Sequence, residues 1–125
     1  MAKKKILIVD DDPELGEEMA ELLEAEGYSA ERTSGGQGAR DLLRGGSYDV
    51  FLLDFKMGDM TGLELLKEVR KADPDAAVFL VSGKPGLEAL LEKENLAGAV
   101  SGIIEKPFAP DLLLEKLSAL KAAGL

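Results

Sequence analysis

The sequence contains no cysteine and no histidine. Without cysteine there is no disulfide framework, no thiolate nucleophile and no cysteine metal site, and the redox compartment is left open. Without histidine, the imidazole general base, the serine-histidine-aspartate triad and the usual zinc sites are excluded. Any chemistry must use Asp, Glu, Ser, Thr, Lys or Tyr. Long apolar runs are missing too. Met1-Ala2-Lys3-Lys4-Lys5 leads into the short run Ile6-Leu7-Ile8-Val9, which stops at Asp10-Asp11-Asp12. A secretory core needs about 7 to 15 apolar residues and a spanning helix about 20, so neither fits, and the expected compartment is the cytoplasm. The three lysines read as a solvated strand entry. Positive charge is in deficit: 15 Lys plus Arg against 24 Asp plus Glu leave a net charge of −9. Such a surface is not built to neutralise nucleic-acid phosphates or anionic lipid, so neither direct nucleic-acid binding nor membrane association is expected.

What is present is ordinary for a globular domain: 125 residues, 46% hydrophobic and 31% charged. That length predicts one domain, 1–125, able to bury about two thirds of its unfolded surface around a single core. Short apolar runs alternate with stretches of helical period. Residues 6–9 form a continuous β-branched and leucine run, the pattern of a strand buried on both faces. Over 13–26, Leu15, Met19, Leu22 and Leu23 recur at helical spacing, and Gly27 stands where a helix C-cap belongs. The alternation continues with a strand over 28–32, a helix over 35–44 and a strand over 49–53. A loop over 54–61 leads to a helix over 62–72 that carries Leu63, Leu66 and Val69 inward and is broken at Pro74. A strand over 76–81, a helix over 86–94, a strand over 102–105 and a helix over 110–122 complete the chain. The terminal Ala122-Ala123-Gly124-Leu125 reads as a fraying end. Five strand-helix pairs in strict alternation predict an α/β fold with a doubly wound parallel sheet.

In such a sheet, ligands bind beyond the carboxyl ends of the strands. Four of the five predicted strand ends carry a polar or charged residue: Asp10, Asp11 and Asp12 after the first, Asp54 after the third, Ser82 after the fourth and Lys106 after the fifth. Carboxylates converging on one rim repel one another and lose hydration unless a hard divalent cation neutralises them, which points to magnesium. Lys106 supplies a second counter-charge and Ser82 a hydroxyl donor. A carboxylate nucleophile, a metal, an ammonium and a hydroxyl form a phosphoryl-transfer set, in which positioning and charge neutralisation dominate.

Ile6-Leu7-Ile8-Val9-Asp10-Asp11-Asp12, Asp49-Val50-Phe51-Leu52-Leu53-Asp54 leading to Met60-Thr61-Gly62, Val81-Ser82-Gly83 and Lys106-Pro107-Phe108 closely resemble the response-regulator receiver domain of two-component signalling. The resemblance spans essentially the whole chain. It implies a flavodoxin-like sheet of strand order 2-1-3-4-5 with five helices. It further implies that Asp54 accepts a phosphoryl group from a phosphohistidine on a sensor histidine kinase or phosphotransfer protein. Asp10 and Asp11 match the acidic pair that holds Mg2+, completed by Asp54 and the backbone carbonyl of Lys56. Ser82 matches the switch hydroxyl and Lys106 the lysine that bonds the phosphoryl group. A downstream protein then docks on the helix over 86–94, the strand over 102–105 and the helix over 110–122, and a phosphorylation-dependent homodimer is compatible with the family. The chain would assist its own phosphorylation and dephosphorylation without turning over a separate substrate.

Four positions depart from the family pattern. Gly58 replaces the usual Pro after Met57, which gives the loop beyond Asp54 more freedom. Ile103 occupies the place of the aromatic switch residue and offers neither a phenolic hydroxyl nor a ring. Lys56 and Lys84 match the variable positions that flank the attacking water; two ammoniums there offer no carboxylate or amide to orient it, which implies slow self-dephosphorylation.

Simpler roles stand beside these. Asp12 reads as the N-cap of the helix beginning at Pro13, and Thr61 as the cap of the helix at Gly62. Leu112, Leu113 and Leu114 cannot all face inward, so at least one is expected to be exposed. Two other functions compete: a degenerate receiver that docks a partner regardless of phosphorylation, favoured by Ile103 and Gly58, and a small Mg2+-dependent phosphohydrolase, disfavoured by the absence of a cap domain. A flavin carrier of the same topology would need a Ser/Thr-rich phosphate loop where this chain has three aspartates.

Overall fold

The computed structural model describes residues 4–122, with side chains through Leu120. Lys3 and the end of the chain beyond Ala122, on which the strand-entry and fraying expectations partly rest, lie outside the described residues. The elements run β1 (Lys5–Val9), α1 (Pro13–Ala25), β2 (Ser29–Thr33), α2 (Gly36–Gly45), β3 (Val50–Asp54), α3 (Gly62–Ala72), β4 (Ala77–Ser82), α4 (Leu87–Lys93), β5 (Gly102–Glu105) and α5 (Pro110–Ala122), with a 3-10 turn Ala97–Ala99 before β5. All strands pair in parallel, in the order β2-β1-β3-β4-β5. The expected architecture is therefore present.

Alternation along each strand divides the core between two faces. Ile6 and Ile8 of β1, Val50 and Leu52 of β3, and Phe79 and Val81 of β4 pack with Met19 and Leu23 of α1 and Leu113 and Leu117 of α5. Leu7, Val9, Phe51, Leu53, Val78 and Leu80 pack on the other side with residues of α2, α3 and α4. Because β1, β3 and β4 are covered on both sides, their sequences are continuous apolar runs, interrupted only at the ends by Lys5, Asp54 and Ser82, rather than alternating. The edge strand β2 is only half-buried.

Capping follows local chemistry. The Asp12 carboxylate accepts the Glu14 and Leu15 amides at 3.1 and 3.3 Å and starts α1, and Thr61 Oγ1 accepts the Glu64 amide at 3.2 Å and starts α3. Gly27 closes α1 in the left-handed region, with φ of 93°. Arg70, in the last turn of α3, donates to the carbonyls of Ala99 at 2.7 Å, Pro74 at 3.1 Å and Ala76 at 2.6 Å, tying the entry to β4 and the 3-10 turn to one side chain.

Three expectations need correction. The inward set expected on α3 is incomplete: Leu63 packs against the core but is only half-buried, and the fully buried residues are Gly62, Leu65, Leu66 and Val69. Spacings of three and four counted back from Val69 select Leu65 and Leu66, leaving Leu63 at the margin of the stripe. None of Leu112, Leu113 and Leu114 is fully exposed: Leu113 is buried, and the other two are half-buried against the α1-α5 side of the core. The strands expected over 49–53 and 76–81 are shifted by one, so Asp54 and Ser82 lie inside β3 and β4. The ladder continues past them, through Phe55 N–H to Val81 O at 2.9 Å and Lys106 N–H to Ser82 O at 2.8 Å. Both side chains therefore stand on rigid strand rather than loop.

Candidate functional site

Parallel register assembles the site. Val9 pairs with Leu53, so the next residues of the two chains, Asp10 and Asp54, emerge side by side at the carboxyl end of the sheet. Ser82 ends β4 opposite Glu105, and Lys106 follows directly. Among the described residues, the buried polar or charged side chains are Asp10, Asp54 and Ser82, at 4%, 6% and 3% exposure. All three stand on this rim. A fold that buries its polar groups in one place has concentrated its unfavourable desolvation there, which is the pattern of a functional site.

Oxygens of Asp10, Asp11 and Asp54 lie within 4.8 Å of one another. Asp11 is exposed and the other two are buried. Lys106 Nζ lies 3.2 Å from Asp10 Oδ2 and 3.3 Å from Asp54 Oδ1. One ammonium thus pairs with two of the three carboxylates, leaving the cluster short of positive charge. Burial pushes the Asp54 carboxyl up, and repulsion from Asp10 adds to this; the Lys106 ammonium opposes both, and the net value is about 6. Burial alone would lower Lys106, but the Asp10 and Asp54 carboxylates outweigh it and raise its pKa. The donor set is all oxygen, convergent and reachable through Asp11, which suits a hard divalent cation such as magnesium.

A cavity of about 460 Å³ opens beside these groups, lined by Asp11, Asp54, Lys56, Ser82, Lys84 and Lys106 among others. The Ser82 hydroxyl accepts the Lys84 amide at 3.0 Å. Lys56 and Lys84 are exposed at its mouth. The structure therefore brings together Asp10, Asp11, Asp54, Lys56, Ser82, Lys84 and Lys106. Ile103 stands apart: it pairs with Leu80 and packs, half-buried, against the α2-α4 side of the core. Asp12 is turned to its cap. A smaller cavity, of about 330 Å³ and lined by Tyr28, Tyr48 and Leu117 among others, lies at the opposite end of the strands and contains none of these groups.

Sequence reasoning passed over Asp59. Its Oδ1 accepts the Gly36 amide at 3.0 Å and its Oδ2 the Gln37 amide at 2.9 Å, so it caps α2 from the loop that follows Asp54. The available signal was negative: Ser34-Gly35-Gly36-Gln37-Gly38 starts a helix with glycine at the N-cap and no side-chain cap of its own.

A doubly wound sheet with a buried acidic cluster, a lysine and a hydroxyl at its carboxyl rim defines an α/β module of the receiver type. The chain belongs to the response regulator receiver domain family, whose pattern matches residues 6–118. It is similar to a CheY-like receiver domain protein from Methanospirillum hungatei, with 32% identity, a TM-score of 0.86, and 94% of this chain and 93% of that one covered. The response regulator TrrA of Thermotoga maritima, solved in complex with Mg(2+)-BeF, shares 32% identity with a TM-score of 0.81, covering 94% of this chain and 98% of that one. Among curated proteins, the cell cycle transcriptional regulator CtrA of Caulobacter vibrioides is 26% identical over 93% of this chain and 49% of its own. The chain thus spans about half the length of the curated relatives it matches.

Proposed function

We propose that this receiver accepts a phosphoryl group on Asp54 from a phosphohistidine of a sensor histidine kinase or phosphotransfer protein, with Mg2+ as cofactor. The observation that carries this reading is the convergence of the Asp10, Asp11 and Asp54 carboxylates within 4.8 Å, with Lys106 Nζ 3.3 Å from Asp54 Oδ1. An Asp54 oxygen attacks phosphorus, the P–N bond breaks with its electron pair returning to the partner's imidazole, and an acyl phosphate remains on Asp54. Asp10, Asp11, Asp54 and the backbone carbonyl of Lys56 would hold the magnesium ion, which supplies positive charge to the phosphoryl oxygens. Lys106, already within reach of Asp54, would pair with the transferred group, and Ser82 would give up its local contact with Lys84 to donate its hydroxyl. The solved Mg(2+)-BeF complex of TrrA supports the assignment by likeness.

Residues 1–125 form one receiver unit in this reading, and the family match over 6–118 supports it. Phosphorylation would alter the face formed by α4, β5 and α5, where a downstream protein docks or a second copy pairs. Ile103 on β5 transmits that change by packing alone. A donor phosphohistidine fits a cytoplasmic location. Among the described residues, no helix is long and apolar enough to cross a membrane.

The test is intact mass after incubation with acetyl phosphate, with and without magnesium, for the wild type and Asp54→Asn. One magnesium-dependent phosphoryl increment, absent in the variant, is expected. No increment under any condition would overturn the acceptor role and leave a module that docks in one state only.

A further inference from the structure

The loop between Asp54 and α3 is held at its base and at its tip. At the base, Gly62 N–H donates to Phe55 O at 2.8 Å, and Lys56 and Thr61 form an isolated antiparallel bridge. The close approach requires glycine: a Cβ at Gly62 would lie 2.8 Å from the Asp54 carbonyl oxygen. At the tip, Met57 and Met60 are buried in the core. A Cβ at Gly36 would collide with the Met60 side chain, so α2 and the tip of the loop fit directly against each other.

Asp59 completes this contact with polar chemistry. The first residues of an α-helix leave amides without intrahelical partners, and a carboxylate there satisfies them and opposes the helix dipole. In α2 the N-cap is Gly35, which has no side chain to give. Both Asp59 oxygens take that place, at 3.0 and 2.9 Å from the Gly36 and Gln37 amides. Those two amides hold the Asp59 carboxyl below the usual carboxylate range. Next to it, Gly58 is exposed, with nothing within 4 Å of the position a Cβ would take. Glycine also leaves the backbone at 58 a wider choice of conformations than any other residue would, so the neighbours on either side must fix its path.

We propose that Asp59 is a positioning residue for the acceptor site: its bidentate cap on α2 fixes the path of residues 55–61 and so sets the Lys56 backbone beside the three carboxylates. The role rests on the reading above, in which the Lys56 carbonyl helps to hold magnesium. Asp59 is three residues beyond Lys56 and touches neither the cation nor the phosphoryl group. It acts by removing conformations that the unanchored loop would otherwise sample, at the position where this chain has Gly58.

The experiment compares wild type, Asp59→Asn, Asp59→Ala and the double variant Gly58→Ala with Asp59→Ala. Two quantities are read: hydrogen exchange at the Gly36 and Gln37 amides in metal-free protein, and magnesium affinity by titration. Loss of the carboxylate is expected to speed exchange at both amides and to weaken magnesium binding about tenfold, the lower end of what outer-shell partners contribute. Asp59→Asn, which keeps one acceptor oxygen, falls between. Gly58 has no positive φ, so alanine is compatible there and reduces loop freedom. The double variant is expected to regain part of the magnesium affinity while exchange at Gly36 and Gln37 stays fast, a separation that a merely structural cap would not produce. Fast exchange with unchanged magnesium affinity in Asp59→Ala overturns the proposal, as does unchanged exchange. A wild type that binds no magnesium overturns the acceptor reading and this role with it; failure of the Asp59 role alone leaves wild-type binding intact.

Discussion

Lys106 Nζ lies 3.3 Å from Asp54 Oδ1, although 52 residues of sequence separate the two. The same nitrogen is 3.2 Å from Asp10 Oδ2. One cation therefore stands between two buried carboxylates, and it does not neutralise both. This imbalance makes the metal-free site a local weakness, and much of the protein's measurable behaviour follows from it.

The first consequence is a pH dependence of stability in EDTA. Asp54 is raised from the ordinary 3.8 to about 6 in the folded state, chiefly by burial and then by Asp10. Between these values the folded chain holds a proton that the unfolded chain has released. Stability from this group is therefore full below about pH 4 and is lost as pH rises through about 6. Asp54→Asn removes the ionisation, so its melting temperature in EDTA at pH 7 is expected to exceed the wild type's by at least a few degrees, with the gap closing at pH 4. Magnesium inverts the local electrostatics and should raise the wild-type melting temperature more than the variant's. Thermal melts at pH 4 and pH 7, with EDTA and with magnesium, check both statements.

Asp11 and Asp12 are adjacent in sequence but have separate tasks. Asp12 caps α1 through the Glu14 and Leu15 amides, whereas Asp11 belongs to the convergent carboxylates. Asp12→Ala is expected to cost about 1 kcal/mol of stability, as cap removal usually does, with magnesium affinity retained. Asp11→Ala is expected to weaken magnesium binding strongly without lowering metal-free stability. Urea unfolding and magnesium titration on both variants would separate the roles, and a reversed pattern would refute the assignment.

Lys56 and Lys84 stand at the mouth of the cavity, exposed and cationic. Neither side chain accepts a hydrogen bond, so neither orients a water molecule for attack on a phosphorylated Asp54. Lys56→Asn combined with Lys84→Glu supplies acceptors at both positions, and the phosphorylated lifetime is expected to shorten at least several-fold. Decay of the phosphoryl increment by intact mass measures it; a lifetime that shortens little or not at all would sink the explanation.

Arg70 gives the clearest prediction remote from the site. Its guanidinium donates to the carbonyls of Ala99, Pro74 and Ala76, a fork that an ammonium cannot reproduce. Arg70→Ala is expected to destabilise by about 2 kcal/mol, the scale of charged hydrogen bonds lost from half-buried acceptors. Arg70→Lys is expected to recover only a small part. Urea denaturation gives the value, and phosphoryl uptake by the folded variants should be retained.

Much of the site was legible because it stands at strand ends. The parallel sheet requires continuous apolar runs, and a polar residue that ends such a run is conspicuous; Asp10, Asp54 and Ser82 were found that way. Asp59 was invisible for the opposite reason. It lies in a polar loop where an acid is unremarkable, and its partners are two backbone amides 22 and 23 residues away. Arg70 was missed likewise, since backbone carbonyls carry no sequence signature. The expected inward face of α3 omits Leu65 and includes Leu63 at its margin, because helical periodicity defines a stripe and not its width.

The sequence by itself determined the alternation of strand and helix, the two-sided burial of β1, β3 and β4, and the residue types available for chemistry, because these depend on local periodicity and composition. The tertiary structure decided which of those residues meet. Register placed Asp10 beside Asp54, the return of β5 brought Lys106 between them, and packing of the acceptor loop against α2 gave Asp59 its place. Such contacts join segments far apart along the chain, and their energies depend on burial and distance that no local pattern encodes.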